Sequence, residues 1–425
     1  MRAERKQIAL ISSGAEHYRK YLLEQLSEAY DVWLVSDEQV TWQQPFIQGS
    51  SKVDDYEPDT LERAVADVRQ IGKVAGLVCW DERYIIATAD VAARLGLPSA
   101  GPQGIRGCRD KALSRALLSA AGVRQPTSKL CGGIDEAVEY ARTLSFPLIV
   151  KPRGMGASIG VALVNNEAEL RERYAKAYEA SFQGAKDFHS GVLIEEFIEG
   201  PEISVDGRVV NGAYEPLFVA RKSVGLPPHF EEVGHVVRHD DPLLYDAELR
   251  RTLTQAHYAV GFQNGITHTE LKLTPEGPVI IEINGRLGGD LIPFLATLAL
   301  GLQPGRLAGQ IACGEANDPE ERPLRGAAAI RFRYPEEDLT VANVILPRPV
   351  QREALEGHSA SLVTFGTRLA LPPSAHAARA AYSIAVGRDA QACVALSQEL
   401  SDSIVIERIH DTPPVSTAQE LEVQR

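Results

Sequence analysis

The run THTELKLTPEGPVIIEINGRLGGD, Thr267 to Asp290, limits what this chain can fold into more than any other segment. Two alternating apolar runs flank Pro275-Glu276-Gly277, so a β-hairpin is predicted with His268, Glu270 and Lys272 on one face and Glu282 and Asn284 on one face. If the hairpin is centred on Glu276, Glu270 stands opposite Glu282. Directly opposed carboxylates destabilise a sheet unless a cation lies between them. Two glutamates and an asparagine are hard oxygen donors suited to Mg²⁺, which combines few protein carboxylates with phosphate oxygens and water. Arg286 is placed to fork onto a phosphate or carboxylate, and Gly288 and Gly289 let a ligand approach the backbone closely.

A second segment, PLIVKPRGMGASIGVALVNN, carries Lys151 on an apolar strand into a loop containing Gly154, Gly156 and Gly160, and a further strand leaves it. This reads as a strand-loop-strand phosphate cradle in which backbone N–H groups close around oxygens and Lys151 supplies a point charge. It is not a Walker loop, because no G-K-[ST] occurs in the chain. Lys111 opens a helix whose apolar face is read as Ala112, Leu113, Ala116, Leu117 and Ala120, and there it opposes the positive end of the helix dipole unless an anion is close. In VLIEEFIEGPEISVDGRVV an apolar strand runs into a connector and then a hairpin expected at Asp206-Gly207, which offers an adenine ring an apolar slot with a polar edge.

The first hundred residues alternate short apolar strands with helices near Tyr18–Ala29, Leu61–Ile71 and Ile85–Leu95. That pattern predicts an open parallel sheet, whose ligands bind beyond the strand carboxyl ends and so draw in Trp80, Asp81 and Glu82. The formal net charge of −13 argues against nucleic acid or an anionic membrane as partner. No apolar run reaches the ~20 residues needed to span a bilayer. Cys79, Cys108, Cys131, Cys313 and Cys393 lack any C-x-x-C pair and are read as reduced thiols of a soluble, cytoplasmic protein. Three units follow: residues 1–104, an N-terminal Rossmann-like domain; 105–315, the core with its Gly-rich lid; and 316–425, a smaller α+β cap ending in a frayed tail after His410. Arg221 to Asp241 reads as a polar, Pro-containing loop bordering a substrate pocket.

Taken in order, these pieces resemble the ATP-grasp superfamily, and EVGHVV with EINGRLGGDLIP looks like the bacterial L-amino-acid ligases, relatives of the bacilysin synthetase. The resemblance implies an α/β and α+β ATP-grasp fold. It implies that Lys111 and Lys151 contact ATP phosphates, with Gly154, Gly156 and Ser158 of the loop beside them. Glu195, Glu196, Phe197 and Ile198 would border adenine, and Glu202 would receive the ribose hydroxyls. Glu270, Glu282 and Asn284 would hold two Mg²⁺ ions, with Mn²⁺ an alternative, and Arg286 would steady the transferring phosphate or acyl phosphate. Glu232 and His235 match the family's E-x-G-H segment, where the acid helps recognise an amino group and the histidine lies near the reacting carboxylate. The activity implied is ADP-forming ligation of an amino acid or similar carboxylate to an amine, both small molecules; a homodimer is compatible with it. A biotin-carboxylase-like or purine-pathway carboxylating enzyme shares the same ATP machinery, and a catalytically silent nucleotide-binding regulator is the third reading.

Overall fold

The structure is a computed structural model that describes residues 5–71, 73–156, 158–227, 229–315, 326–372, 375 and 377–409. The polar boundary expected after Glu315 and the tail expected after His410 lie outside the described residues. Gln7–Ile11, Asp31–Ser36, Gly49–Lys52 and Val74–Val78 form the expected parallel sheet, with Gln7–Ile11 between Asp31–Ser36 and Val74–Val78. Gly49–Lys52 has the polar sequence GSSK and escapes an apolar-pattern search; it sits on the edge, where Gly49 lets the strand lie against the ring of Trp33. Helix Glu16–Ala29 covers one face together with Pro304–Ala312, which returns from beyond the hairpin: Leu22, Leu26 and Tyr30 share a core with Leu307 and Ile311.

A second, antiparallel sheet has the order Ser128–Cys131, Val192–Glu196, Leu148–Pro152, Ala162–Val164, and helices Ile134–Ala141 and Glu167–Ser181 pack on it through Ala137, Val138, Leu170 and Ala177. The largest sheet has nine strands, antiparallel throughout. It runs from Gly277–Asn284 through Gly265–Thr274, Glu202–Val210, Ala213–Gly225 and Glu231–Arg238. It then continues into Ala327–Arg333, Ala381–Gly387, Leu355–Ser361 and Val350–Arg352. The C-terminal segment thus extends the core sheet by backbone pairing, and helix Ala390–Asp402, capped by Asp389, covers that end.

Two local expectations change. The turn lies at Asn211-Gly212, where φ is +49° and +79°, and Asp206-Gly207 is mid-strand. Asp206 is buried and bonded to His268, so its side chain is engaged across the sheet instead of in a local turn. Arg221 to Asp241 is mostly strand, ending one long strand and forming the next. Its polar residues Lys222, Glu232 and His235 face inward, which hides the apolar alternation that marks a buried strand.

Candidate active site

The hairpin pairs Glu270 with Glu282 and His268 with Asn284, as the centred register requires. Nearer the turn the pairing shifts, Leu271 facing Ile280, so Ile281 is the extra residue of a bulge. Its carbonyl accepts a hydrogen bond from Arg115 at 2.8 Å. Each opposed carboxylate has its own cation: Glu270 lies 3.1 Å from Lys222 Nζ, and Glu282 lies 2.8 Å from Lys111 Nζ. Burial alone would raise the Glu270 carboxyl, but Lys222 and His268 outweigh it and hold it at about 2. The Asn284 side-chain amide lies 3.3 Å from Oε1 of both Glu282 and Glu82, placed to donate its N–H groups to them. The Glu270 and Glu282 carboxylates together with the Asn284 amide oxygen offer hard oxygen donors of the kind that fits Mg²⁺.

Lys111 and Lys151 line the same cavity, of about 260 Å³. The helix Lys111–Ala120 buries Lys111, Ser114, Arg115 and Leu118; of the expected apolar face Ala112 and Leu117 are half-buried, Leu117 against the core, while Leu113, Ala116 and Ala120 are exposed. The reason is electrostatic: Asp110 caps the helix and binds Arg153, while Arg115 forks onto Glu195 at 2.8 and 3.2 Å. Lys151 lies 2.6 Å from Glu195 Oε2, the oxygen that also accepts from Arg115, and burial lowers its pKa despite that partner. Glu195 therefore directs its carboxylate to Lys151 and Arg115; Glu196, Phe197 and Ile198 follow it along the cavity wall with Ile149, Val161 and Phe230.

The glycine loop divides. Gly156 and Ser158 line the cavity, and a Cβ on Gly156 would meet the Glu82 carboxylate at 3.0 Å. Gly154 packs against the ring of Phe188, and its carbonyl accepts from Arg109 at 2.5 Å, so it serves the loop's packing. Gly289 is open and lines the cavity, whereas a Cβ on Gly288 would strike His268 at 2.8 Å. Arg286 lines the cavity and is paired with Glu82, while Trp80, Asp81 and Glu82 do not themselves line it. Burial of Glu82 is overcome by Arg286 and Arg109, which hold its carboxyl at about 2. Trp80 bonds Ser13, and Asp81 pairs with Arg83.

Sequence reasoning missed the lysine at the centre. Lys222, fully buried, contacts Glu232 at 2.6 Å, Glu270 at 3.1 Å and Glu202 at 3.2 Å. Glu202 also pairs with Lys272 at 3.1 Å. Burial opposes the Lys222 charge, but the three carboxylates hold it firmly protonated. His235 Nε2 lies 3.3 Å from both Glu232 and Asp290, and Asp290 is forked by Arg379 from the C-terminal segment. A lysine within a β-rich run was the available signal for Lys222; nothing local marks Arg379.

Residues 144–293 match the ATP-grasp domain model. The alanine–anticapsin ligase of Bacillus subtilis is 28% identical over 304 residues, 63% of this chain and 61% of that protein. An uncharacterized protein, y4rH, of Sinorhizobium fredii is 28% identical over 280 residues, covering 63% of this chain and 56% of its own length. Carnosine synthase 1 of Mus musculus is 28% identical over 256 residues, 53% of this chain and 30% of that enzyme. The chain thus spans under two thirds of these curated relatives. Among solved structures, the L-amino acid ligase of Bacillus licheniformis superposes with a TM-score of 0.77 at 20% identity, over 96% of this chain and all of that one. A biotin carboxylase from Campylobacter jejuni gives 0.69 at 16% identity, over 95% and 92% of the two chains. No helix of the described residues is long and apolar enough to cross a membrane. The nine-stranded sheet, the lysine-bearing antiparallel sheet and the N-terminal parallel sheet together make an ATP-grasp fold, and the chain resembles the bacterial L-amino-acid ligases.

Proposed function

We propose that this protein is an ATP-dependent carboxylate-amine ligase that forms an acyl phosphate and then an amide, releasing ADP and phosphate. The observation that carries this reading is the single cavity in which Glu270 faces Glu282 among Lys111, Lys151 and Arg286, with Glu232 also on its wall and His235 buried directly behind Glu232. A carboxylate attacking the γ-phosphate concentrates negative charge, and Lys111, Lys151 and Arg286 are positioned to offset it. Glu270, Glu282 and Asn284 would hold Mg²⁺, which when bound supplies further charge neutralisation at the phosphates. Phe197 and Ile198 would border the adenine and Glu202 the ribose, while the loop at Gly156 and Ser158 keeps water from the anhydride. We expect two Mg²⁺ ions per nucleotide, and the five free thiols suit a reducing, cytoplasmic setting.

The test is incubation with ATP, Mg²⁺ and paired amino acids, followed by nucleotide analysis and mass measurement of products. ADP and phosphate in step with an amide product are expected. AMP and pyrophosphate as the stoichiometric products would sink the acyl-phosphate route, and turnover that requires bicarbonate would point to carboxylation.

A further inference from the structure

Asp290 and Arg379 are far apart in sequence and meet at the cavity. Asp290 and Leu291 follow the hairpin with φ of +55° and +61°, a conformation that non-glycine residues hold only where neighbours enforce it. Arg379 provides that enforcement: it grips both Asp290 oxygens at 2.5 and 2.6 Å, donates to the Tyr334 hydroxyl and the Glu232 carbonyl, and lies over the Phe332 ring at 4.0 Å. On its other side Asp290 Oδ2 stands 3.3 Å from His235 Nε2, and Glu232 Oε2 stands 3.3 Å from the same nitrogen. His235 Nδ1 is buried without a partner, so the hydrogen that makes both contacts favourable is assigned to Nε2. Two carboxylates thus converge on one donor, each anchored from behind, Glu232 by Lys222 and Asp290 by Arg379.

Anchored carboxylates with lone pairs left toward a cavity complement a compact cation with several N–H donors and repel carboxylate or phosphate. We propose that Asp290 is a second acid, beside Glu232, for recognising the ammonium group of an amine-bearing substrate, and that Arg379 of the C-terminal segment is its positioning residue. This rests on the ligase reading and makes that segment part of the substrate site.

The experiment is calorimetric titration of the full-length protein, loaded with Mg²⁺ and a non-hydrolysable ATP analogue, with each of the twenty amino acids. Each amino acid that binds is then compared with its desamino counterpart, such as propionate for alanine. Asp290→Asn and Arg379→Gln are expected to cut the preference for the amino compound by about tenfold or more, with nucleotide affinity within about twofold of wild type. Arg379→Lys, which keeps the charge but not the fork, should retain part of the preference. Arg379→Gln leaves a buried acid without its partner and can fail to fold; the double variant with Asp290→Asn removes both charges and should bind no more weakly than the weaker single variant. The proposal is overturned if Asp290→Asn keeps the wild-type preference, if it weakens amino and desamino compounds equally, or if no amino acid binds. It is also overturned if Mn²⁺ binding, measured alone, depends on Asp290 while amino-acid binding does not. Wild-type protein that binds amino acids with this preference but releases no ADP would defeat the ligase reading and leave this one standing.

Discussion

Lys111 Nζ lies 2.8 Å from Glu282 Oε1, so the first-turn lysine of one helix meets the carboxylate of the far hairpin strand. The same lysine donates to the Met155 carbonyl in the glycine loop at 2.6 Å. Loop, helix and hairpin are thereby tied at one ammonium, and the anion that makes a lysine acceptable at a helix N-terminus is a glutamate of the same chain. Glu282→Gln keeps an acceptor for Lys111 while removing a charge from the oxygen set. Turnover should fall by about 10²-fold or more, the scale of one lost preorganised electrostatic contact, with the thermal transition little changed. Steady-state rates measured against Mg²⁺ concentration check this, and unchanged activity at limiting Mg²⁺ would remove Glu282 from the metal set.

His235→Ala deletes the ring N–H that lies between the Glu232 and Asp290 carboxylates and leaves the two facing each other. Amide formation should drop by roughly 10²-fold, with ATP affinity nearly constant because Lys111 and Lys151, proposed to meet the phosphates, are untouched. Rates beside direct ATP binding decide it: parallel loss of both would show that the histidine supports the fold and not the substrate side.

How far the sequence discloses this site depends on whether a residue's role is local. The register Glu270 to Glu282 is reached by counting outward from a turn centred on Glu276; the strands in fact turn between Thr274 and Gly277, and it is the extra residue Ile281 that brings Glu270 opposite Glu282. Lys151 and its glycine loop are legible for the same reason, as strand and loop are contiguous. Leu113 misleads because an apolar residue on a short helix is read as core, whereas here Arg115 and Lys111 take the buried face to meet Glu195 and Glu282. Arg379 is invisible for a different reason: its partner Asp290 is remote in sequence, and the pairing exists only because Ala327–Arg333 adds itself to the edge of Glu231–Arg238.

Gly305 opens the helix Pro304–Ala312 directly on Leu22: a Cβ there would lie 2.1 Å from the Leu22 carbonyl oxygen, and the Gly305 N–H already donates to Gln25. Backbone on one side cannot yield as a side-chain tip can. Gly305→Ala should destabilise the protein by about 1–3 kcal/mol through forced separation of the two helices. Urea denaturation gives the loss, and a variant as stable as wild type would mean that this packing relaxes freely.

Glu195 supplies the pH test, because it is buried between Arg115 and Lys151 with 3% of its side chain exposed. Burial opposes its ionisation, yet the two cations win and hold its carboxyl at about 2, against about 4.3 for an unperturbed glutamate. The folded pKa lies below the unfolded one, so the unfolded chain binds the extra proton between those values. The stability from Glu195 is therefore fully present above about pH 4.3 and is lost as pH falls toward about 2. Glu195→Gln should lower stability at pH 7, since Lys151 and Arg115 lose their shared anion, and should flatten the dependence of stability on pH between about 4 and 2 by up to one proton. Denaturant titrations at successive pH values measure that slope directly. A non-hydrolysable ATP analogue, whose phosphates offer Lys151 a new partner, should recover part of the pH 7 loss if Lys151 faces nucleotide. A variant with the wild-type slope would show that other carboxylates carry the acid response, and one that gains nothing from nucleotide would separate Lys151 from the phosphate site.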